Sequence, residues 1–501
     1  MKFLSRNNKK GIMNKILKLA LMLLFSGCMV GPDYHPPCID LPDAFIYEPK
    51  DVKGSLNVEW WSQFEDAVLN NLIEEALAYN KNVKIAAANI DYAVGILIQI
   101  RAPLLPQFGY DASYTKTRLS QAIASTENAA SLPAPFRLIN PQTTWQAILT
   151  GSWEIDVWGR IRRQVESARA HVFATFQARQ QVILSLVAAV ANTYIQLRGL
   201  DEQLVISQKT MESYHEAVVY FSTQFKYGQT SKMTVASAET QYEIAAAKIP
   251  QIKLQIIQTE NALSILLGSN PKTIPRGKTI YQLKELEVPS NLPSQLLSQR
   301  PDIMEAEQNL IAANAQIGAA IALYFPSISL TGYYGGASQQ LKNLFSGPAN
   351  TWSFIGSVTG PIFTAGAIYG QVFQAKAQQQ AALIAYQETI QNAFADVENA
   401  LAARTMLIEE VASLERLVKA AGEYESLAML QYKGGYSPYF VVIQAQQQYF
   451  PAQLSWVQAK VSLLNAYTDI YQSLGGGWVV EAEERTHHSL DACQILINPS
   501  E

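Results

Sequence analysis

Residues Thr351–Phe363 read TWSFIGSVTGPIF, a stretch without a single charge. Trp352, Phe354, Gly356, Val358, Gly360 and Ile362 fall on one side of a two-residue alternation. Thr351, Ser353, Ser357 and Thr359 fall on the other, with Ile355 the exception. That period belongs to a strand with one apolar and one polar face. The surrounding chain has the pattern of long helices, so the strand needs a reason to be there.

Working outward, the strand is one of four. Phe108, Tyr110, Ala112 and Tyr114 alternate in the same way, as do Trp145, Ala147, Leu149, Gly151 and Trp153, with Gln146, Thr150 and Ser152 opposite. Ile328, Leu330 and Tyr334 define the fourth. The expected strands cover about 105–118, 143–158, 325–338 and 350–363. Each is close to the ~9–11 residues that a tilted strand needs to cross a bilayer. Trp145, Trp153 and Trp352 suit the aromatic girdles at its two surfaces.

The four strands belong to a duplicated unit. FKYGQTSKMTVASAETQYEIAAAK, from Phe225, lines up with YKGGYSPYFVVIQAQQQYFPAQLS, from Tyr432. Gly228 answers Gly435, and Leu267-Gly268 answers Leu474-Gly475. Earlier in each half, LLPQFGYDASY matches YFPSISLTGYY, with Pro106 answering Pro326. Each half reads helix, strand, loop, strand, long helix, turn, helix. From Arg160 to about Tyr227 there is no proline, enough for a helix of ~100 Å. Along it Phe176, Ile183, Val190, Leu197, Leu204, Met211, Val218 and Phe225 recur every seven residues. The second half repeats this from Leu383 to Tyr432, broken at Arg404 and Glu425. A sustained seven-residue repeat means a left-handed coiled coil.

The expected organisation is a signal at 1–27, an extended N-terminal segment at 28–70, a first repeat at 71–268 with its tip near 228, a linker at 269–294, a second repeat at 295–475 with its tip near 435, and a tail at 476–501. Basic residues, the run LALMLLF and then Ser26, Gly27 and Cys28 make the start an export signal. Beyond it, no segment approaches the roughly 20 consecutive apolar residues of a membrane helix. A mature chain that crosses a membrane then does so with strands. Four strands cannot close a barrel alone, and open edges are not tolerated in lipid. Bacterial barrels begin at about 8 strands, and a symmetric ring of copies is the usual way to close one.

Other classes find little support. With 38 Lys+Arg against 42 Asp+Glu there is no nucleic-acid footprint. Cys28, Cys38 and Cys493 make no disulfide framework. His35, His171 and His215 are scattered, and His487, His488 and Cys493 lie in a tail where solvated histidines are the norm. YYGG, KGGYS and LGGGW lack the Lys-Ser/Thr of a phosphate loop. Glu154 and Asp156 fit a strand-to-helix junction better than a catalytic pair. No catalytic residue, metal or cofactor is expected. A lipid-anchored periplasmic coiled-coil scaffold without a pore would explain the heptads and Cys28, but not four membrane-length strands.

The blocks CMVGPDYHPP, WWSQFEDAVLNNLIEEALAYN, SWEIDVWGRIRRQVESA and QRPDIMEAEQNLIAANAQIGAAIALYFPSISLTGYYG carry a resemblance over almost the whole chain. The sequence resembles the outer membrane factors, the TolC-like outer-membrane efflux proteins, in their NodT-like lipoprotein branch. Arg300-Pro301-Asp302, Asn314 and Phe325-Pro326 stand in the family's order. The resemblance implies a mainly α fold with a small β part: a homotrimer with a shared twelve-strand barrel on a periplasmic helical tube. It implies lipidation of Cys28, an outer-membrane location, a periplasmic adaptor and an inner-membrane transporter as partners, and small-solute or drug efflux. The outlet of a type I protein secretion system is the alternative. Adaptor contacts would fall at Tyr227, Gly228, Gln229, Gly434, Gly435 and Tyr436. The periplasmic aperture would be formed by Thr234, Ser237, Val441, Gln444 and Gln448. Family members commonly place Asp there, and none of these residues is acidic. The expected aperture is therefore closed by bulk and uncharged hydrogen bonds.

Overall fold

The structure is a computed structural model that describes residues 29–39, 42, 44–47, 59–118, 141–288 and 293–475. The signal, Cys28, Cys493, His487 and His488 lie outside the described residues. The chain divides into two compact units, one built from residues 1–36, 93–172 and 309–383, the other from 37–92, 173–308 and 384–501.

The first unit holds the sheet. Strands β1 (Gln107–Thr117), β2 (Gln142–Ile155), β3 (Ser327–Ser338) and β4 (Asn350–Thr359) are antiparallel in the order β1-β2-β3-β4. Strand β4 is shorter than its alternation implies. Gly360–Phe363 continue the pattern in sequence but lie outside the strand, where Pro361 has no N–H to give a ladder. Ala365 and Gly366, both at positive φ (49° and 87°), then turn the chain. At the other end of β2, Glu154 accepts from Arg160 Nη2 at 2.8 and 2.9 Å. Asp156 accepts from the Ile161 and Arg162 amides at 3.1 and 2.9 Å. The two carboxylates thus start the helix that follows the strand.

The second unit is helical, and four helices have residues in both units. Helices α1 (Ala67–Tyr79) and α2 (Lys81–Arg101) precede β1; α3 (Arg160–Lys226) and α4 (Lys232–Leu266) follow β2. Helices α5 (Pro293–Gln299) and α6 (Pro301–Ala322) precede β3; α7 (Ala367–Lys433) and α8 (Tyr439–Ser473) follow β4. The duplication is metrical: α3 and α7 each have 67 residues, and α4 and α8 each have 35. Of the heptad residues in α3, Ile183, Val190 and Leu197 are buried and Phe225 is exposed at the end of the helix. Gly199 lets α3 approach α8 closely, since a Cβ there would lie 2.2 Å from Val461 Cγ2.

Around this packing lies one apolar core that includes Trp60, Phe64, Leu69, Ile73, Val187, Tyr194, Leu464 and Tyr471. Trp60 stacks on Tyr471 with centroids 5.5 Å apart. Asp66 caps α1 through the Val68 amide (2.8 Å) and also accepts from Tyr194 Oη and the Lys278 amide, both at 2.9 Å. One buried carboxylate thereby joins α1, α3 and the 269–288 segment.

Two helical stretches come nearer to a membrane helix than their lack of an unbroken apolar run implies. Residues 67–104 and 160–226 each contain an 18-residue window apolar enough for a membrane span by length and composition. The second window is two-thirds buried within the protein, as a core helix is. The first stretch is broken at Asn80, whose ψ of 135° ends α1. Its apolar side chains Ile85, Tyr92 and Ile98 are exposed.

Candidate functional site

The register of the sheet sorts its side chains into two faces. On one, cross-strand rows run Phe108–Gly151–Gly332–Phe354 and Tyr110–Leu149–Tyr334–Trp352. Phe108 and Phe354 are 86% and 80% exposed in the single chain, flanking a shallow trench over the two glycines. Trp145 and Trp153 share this face, and Tyr114 packs on Trp145 at 4.4 Å. Exposed aromatic and aliphatic groups of this extent, with Lys116 the only charge in the strands on that side, match a lipid-facing wall.

The other face is lined by hydroxyls and small groups, among them Thr150, Ser152, Thr331, Ser353 and Ser357. Ser329 and Ser357 bond across strands at 2.7 Å. Such a surface suits water. Of the described strand residues on this face, Asp111 and Glu154 alone are charged. Asp111 is not among the expected functional residues, although the alternation Tyr110–Ala112 already places it opposite the apolar side.

In the helical unit the two hairpin turns are alike. Gly228 and Gly435 have φ of +74° and +77°. In each, the residue after the glycine donates back across the helix end, Gln229 N to Gln224 O and Tyr436 N to Gln431 O, both at 2.9 Å. This glycine-terminated cap closes the orphan carbonyls of the long helix. Tyr227, Gly228, Gln229, Gly434, Gly435 and Tyr436 are all exposed there. Just behind, Phe221, Tyr432 and Tyr439 form an aromatic knot, with centroids at 4.2 Å (Phe221–Tyr439) and 5.3 Å (Tyr432–Tyr439). Burial, then Tyr432 and Glu425, push the Tyr439 hydroxyl up to about 12.

The residues expected at the aperture divide by environment. Val441 packs against the buried cluster that includes Phe221 and Tyr439 and is itself half-buried. Thr234 stands in the first turn of α4, where Ser231 Oγ caps its amide at 3.3 Å. Ser237 is half-buried. Gln444 and Gln448, one turn apart on α8, are exposed on the same side.

The segment that follows Cys28 is held firmly within the sheet-bearing unit. Arg163, with a side chain 2% exposed, donates to Val30 O and Gly31 O (both 3.2 Å), Asp33 (2.7 Å) and Glu166 (2.9 Å). Burial works against its charge, and the two carboxylates more than compensate, so its pKa is raised. Val30 N donates to Trp158 O at 3.2 Å, and Asn314 Nδ2 to Pro32 O at 3.0 Å.

The family model for outer membrane efflux proteins matches residues 72–269 and 292–476. The solvent efflux pump outer membrane protein SrpC of Pseudomonas putida is 32% identical over 93% of this chain and 99% of its own length. The cation efflux system protein CusC of Escherichia coli O6:H1 is 30% identical, again over 93% and 99%. Among solved structures, the Campylobacter jejuni CmeC outer membrane channel superposes with a TM-score of 0.83 at 26% identity, covering 92% of this chain and 99% of that one. The open state of the Neisseria gonorrhoeae MtrE outer membrane channel gives 0.79 at 29% identity, covering 92% and 100%. The two-faced sheet and the paired hairpins are thus those of a known architecture: the chain belongs to the outer membrane efflux protein family and is an outer-membrane channel for efflux.

Proposed function

We propose that three copies of this chain form the exit duct of a tripartite efflux system, taking drugs or other small solutes from an inner-membrane transporter and its periplasmic adaptor to the outside. The observation that carries this is the sheet itself. Four strands with one apolar and one hydroxyl-lined face leave two open edges, and lipid does not tolerate open edges. Closing β1 of one copy on β4 of the next gives a twelve-strand barrel with its polar face inward. The exposed apolar side chains of α2, Ile85, Tyr92 and Ile98, fit burial between copies.

In this reading residues 71–268 and 295–475 are the two repeats, 28–70 and 269–294 the segments around their middle, and 1–27 and 476–501 the signal and tail. Cys28 carries acyl chains, and the Arg163 clamp holds the chain just after it beside Trp158. The exposed tips at Tyr227–Gln229 and Gly434–Tyr436 receive the adaptor. Thr234, Ser237, Gln444 and Gln448 narrow the periplasmic end with uncharged groups, and Val441 supports them from the hairpin seam. The work is passive conduction, with energy supplied by the partner pump and no catalytic group or cofactor. Planar-bilayer recording of the purified lipoprotein tests the reading. Discrete conductance steps are expected, larger once Val441→Ala and Gln444→Ala loosen the aperture, and trimeric protein that inserts without current in both forms would defeat it.

A further inference from the structure

We infer that Asp111 sets the charge preference of this channel, as a ring of three carboxylates on the barrel wall rather than at the periplasmic aperture. The inference rests on the trimeric-channel reading above. Asp111 lies within β1, four residues from its start and six from its end, and is exposed on the hydroxyl-lined face. Its row across the sheet continues through Ile148, Gly335 and Thr351, none of which is charged. Its neighbours along the strand on that face are Gly109 and Ser113.

The other carboxylate on this face is already neutralised. Both oxygens of Glu154 accept from Arg160. Nor would ring closure supply a cation, because β4, the strand that would meet the β1 edge, has the sequence NTWSFIGSVT. An ionisable side chain at membrane depth is costly to keep and marks an ion or solute path. Rings of Asp or Glu are how pores favour cations. Here the aperture positions Thr234, Ser237, Val441 and Gln444 offer no charge. The acidic ring is therefore displaced to the barrel, where its field acts on every solute that leaves.

The test is the reversal potential of the full lipoprotein in planar bilayers under a KCl gradient. Wild type is expected to favour K⁺ over Cl⁻ by about threefold or more, falling toward unity in Asp111→Asn and inverting in Asp111→Lys. Ser353→Ala, on the same face, controls for a general change of the wall and should leave the ratio where it was. A variant that does not insert is replaced by Asp111→Ser, read in the same way. Currents from Asp111→Asn with the wild-type ratio would overturn the assignment while leaving the channel intact. Absence of any current, from wild type and from the Val441→Ala/Gln444→Ala form alike, would remove the channel reading, and this inference with it.

Discussion

Asn80 and Arg300 perform the same task in the two halves of the chain with different chemistry. Asn80 Nδ2 donates to Leu266 O at 2.7 Å, closing the end of α4, and Arg300 Nη1 donates to Ser473 O at 2.9 Å, closing the end of α8. Each residue also immediately precedes the next helix of its half, α2 or α6. Asn80 caps its own helix through the Asn82 and Val83 amides at 2.8 and 3.2 Å. Arg300 instead holds Asp302 (2.6 Å) and Asp396 (3.0 Å). Burial opposes its charge, and these carboxylates outweigh that, raising its pKa.

The two sites should respond unequally to truncation. Asn80→Ala loses two capping bonds and one carbonyl partner, a cost of about 1–2 kcal/mol. Arg300→Ala removes a buried arginine and leaves the Ser473 carbonyl and the partly exposed Asp302 and Asp396 carboxylates without it, about 2–4 kcal/mol once solvent screening of the carboxylates is allowed for. Arg300→Lys should recover only part, since a single ammonium cannot reach carbonyl and carboxylates together. Thermal unfolding in detergent ranks the three variants, and equal losses for Asn80→Ala and Arg300→Ala would refute the distinction.

A second contrast lies in the glycines. Gly228, Gly435, Gly268 and Gly475 all have positive φ, so alanine costs about 1–2 kcal/mol at each. At the tips, a Cβ on Gly228 or Gly435 meets open space. At the other ends of the return helices it would lie 2.2 Å from Tyr79 O at Gly268, and 2.9 Å from Arg300 Cα at Gly475. Gly228→Ala should therefore accumulate nearly as wild type, and Gly268→Ala should not. Quantifying mature protein in outer-membrane fractions decides between them.

Much of this frame was legible beforehand, for physical reasons. Strand alternation is visible because one face meets lipid and the other water, and the hairpins are visible because the positive φ of their turns favours glycine. The end of β4 was not legible: Gly360 and Ile362 keep the period, while Pro361 withdraws the hydrogen bond that would make them strand. The kinship of Asn80 with Arg300 was hidden because the side chains share a bond but not a type. The Phe221–Tyr432–Tyr439 knot joins three helices, so no local period announces it. Of the residues expected at the aperture, spacing alone could not separate Val441, packed on the buried cluster around that knot, from exposed Gln444.

The knot makes an alkaline prediction. Tyr439 has a folded pKa raised to about 12, against about 10 for a free tyrosine. Its contribution to stability is complete below pH 10 and is lost as pH rises from there through 12. Tyr439→Phe removes this ionisation, so the variant should lose less stability than wild type across that window. Melting temperatures compared at pH 8 and pH 11.5 provide the check; parallel losses would mean the hydroxyl is not protected in the folded tip.

The clamp on the N-terminal segment is also open to test. Arg163→Ala frees Val30, Gly31 and Asp33, and should raise hydrogen exchange at the Val30 amide by about tenfold or more, a change of roughly 1.4 kcal/mol in local opening. Exchange unchanged from wild type would show that Trp158 and Asn314 suffice without the arginine.

The claim on which the rest depends is that one chain supplies a third of a closed barrel. Native mass spectrometry of protein extracted from outer membranes measures this most directly. The structure predicts a species of three chains that requires detergent to leave the membrane. A monomer or dimer released without detergent would make the four strands an ordinary sheet and contradict the shared channel.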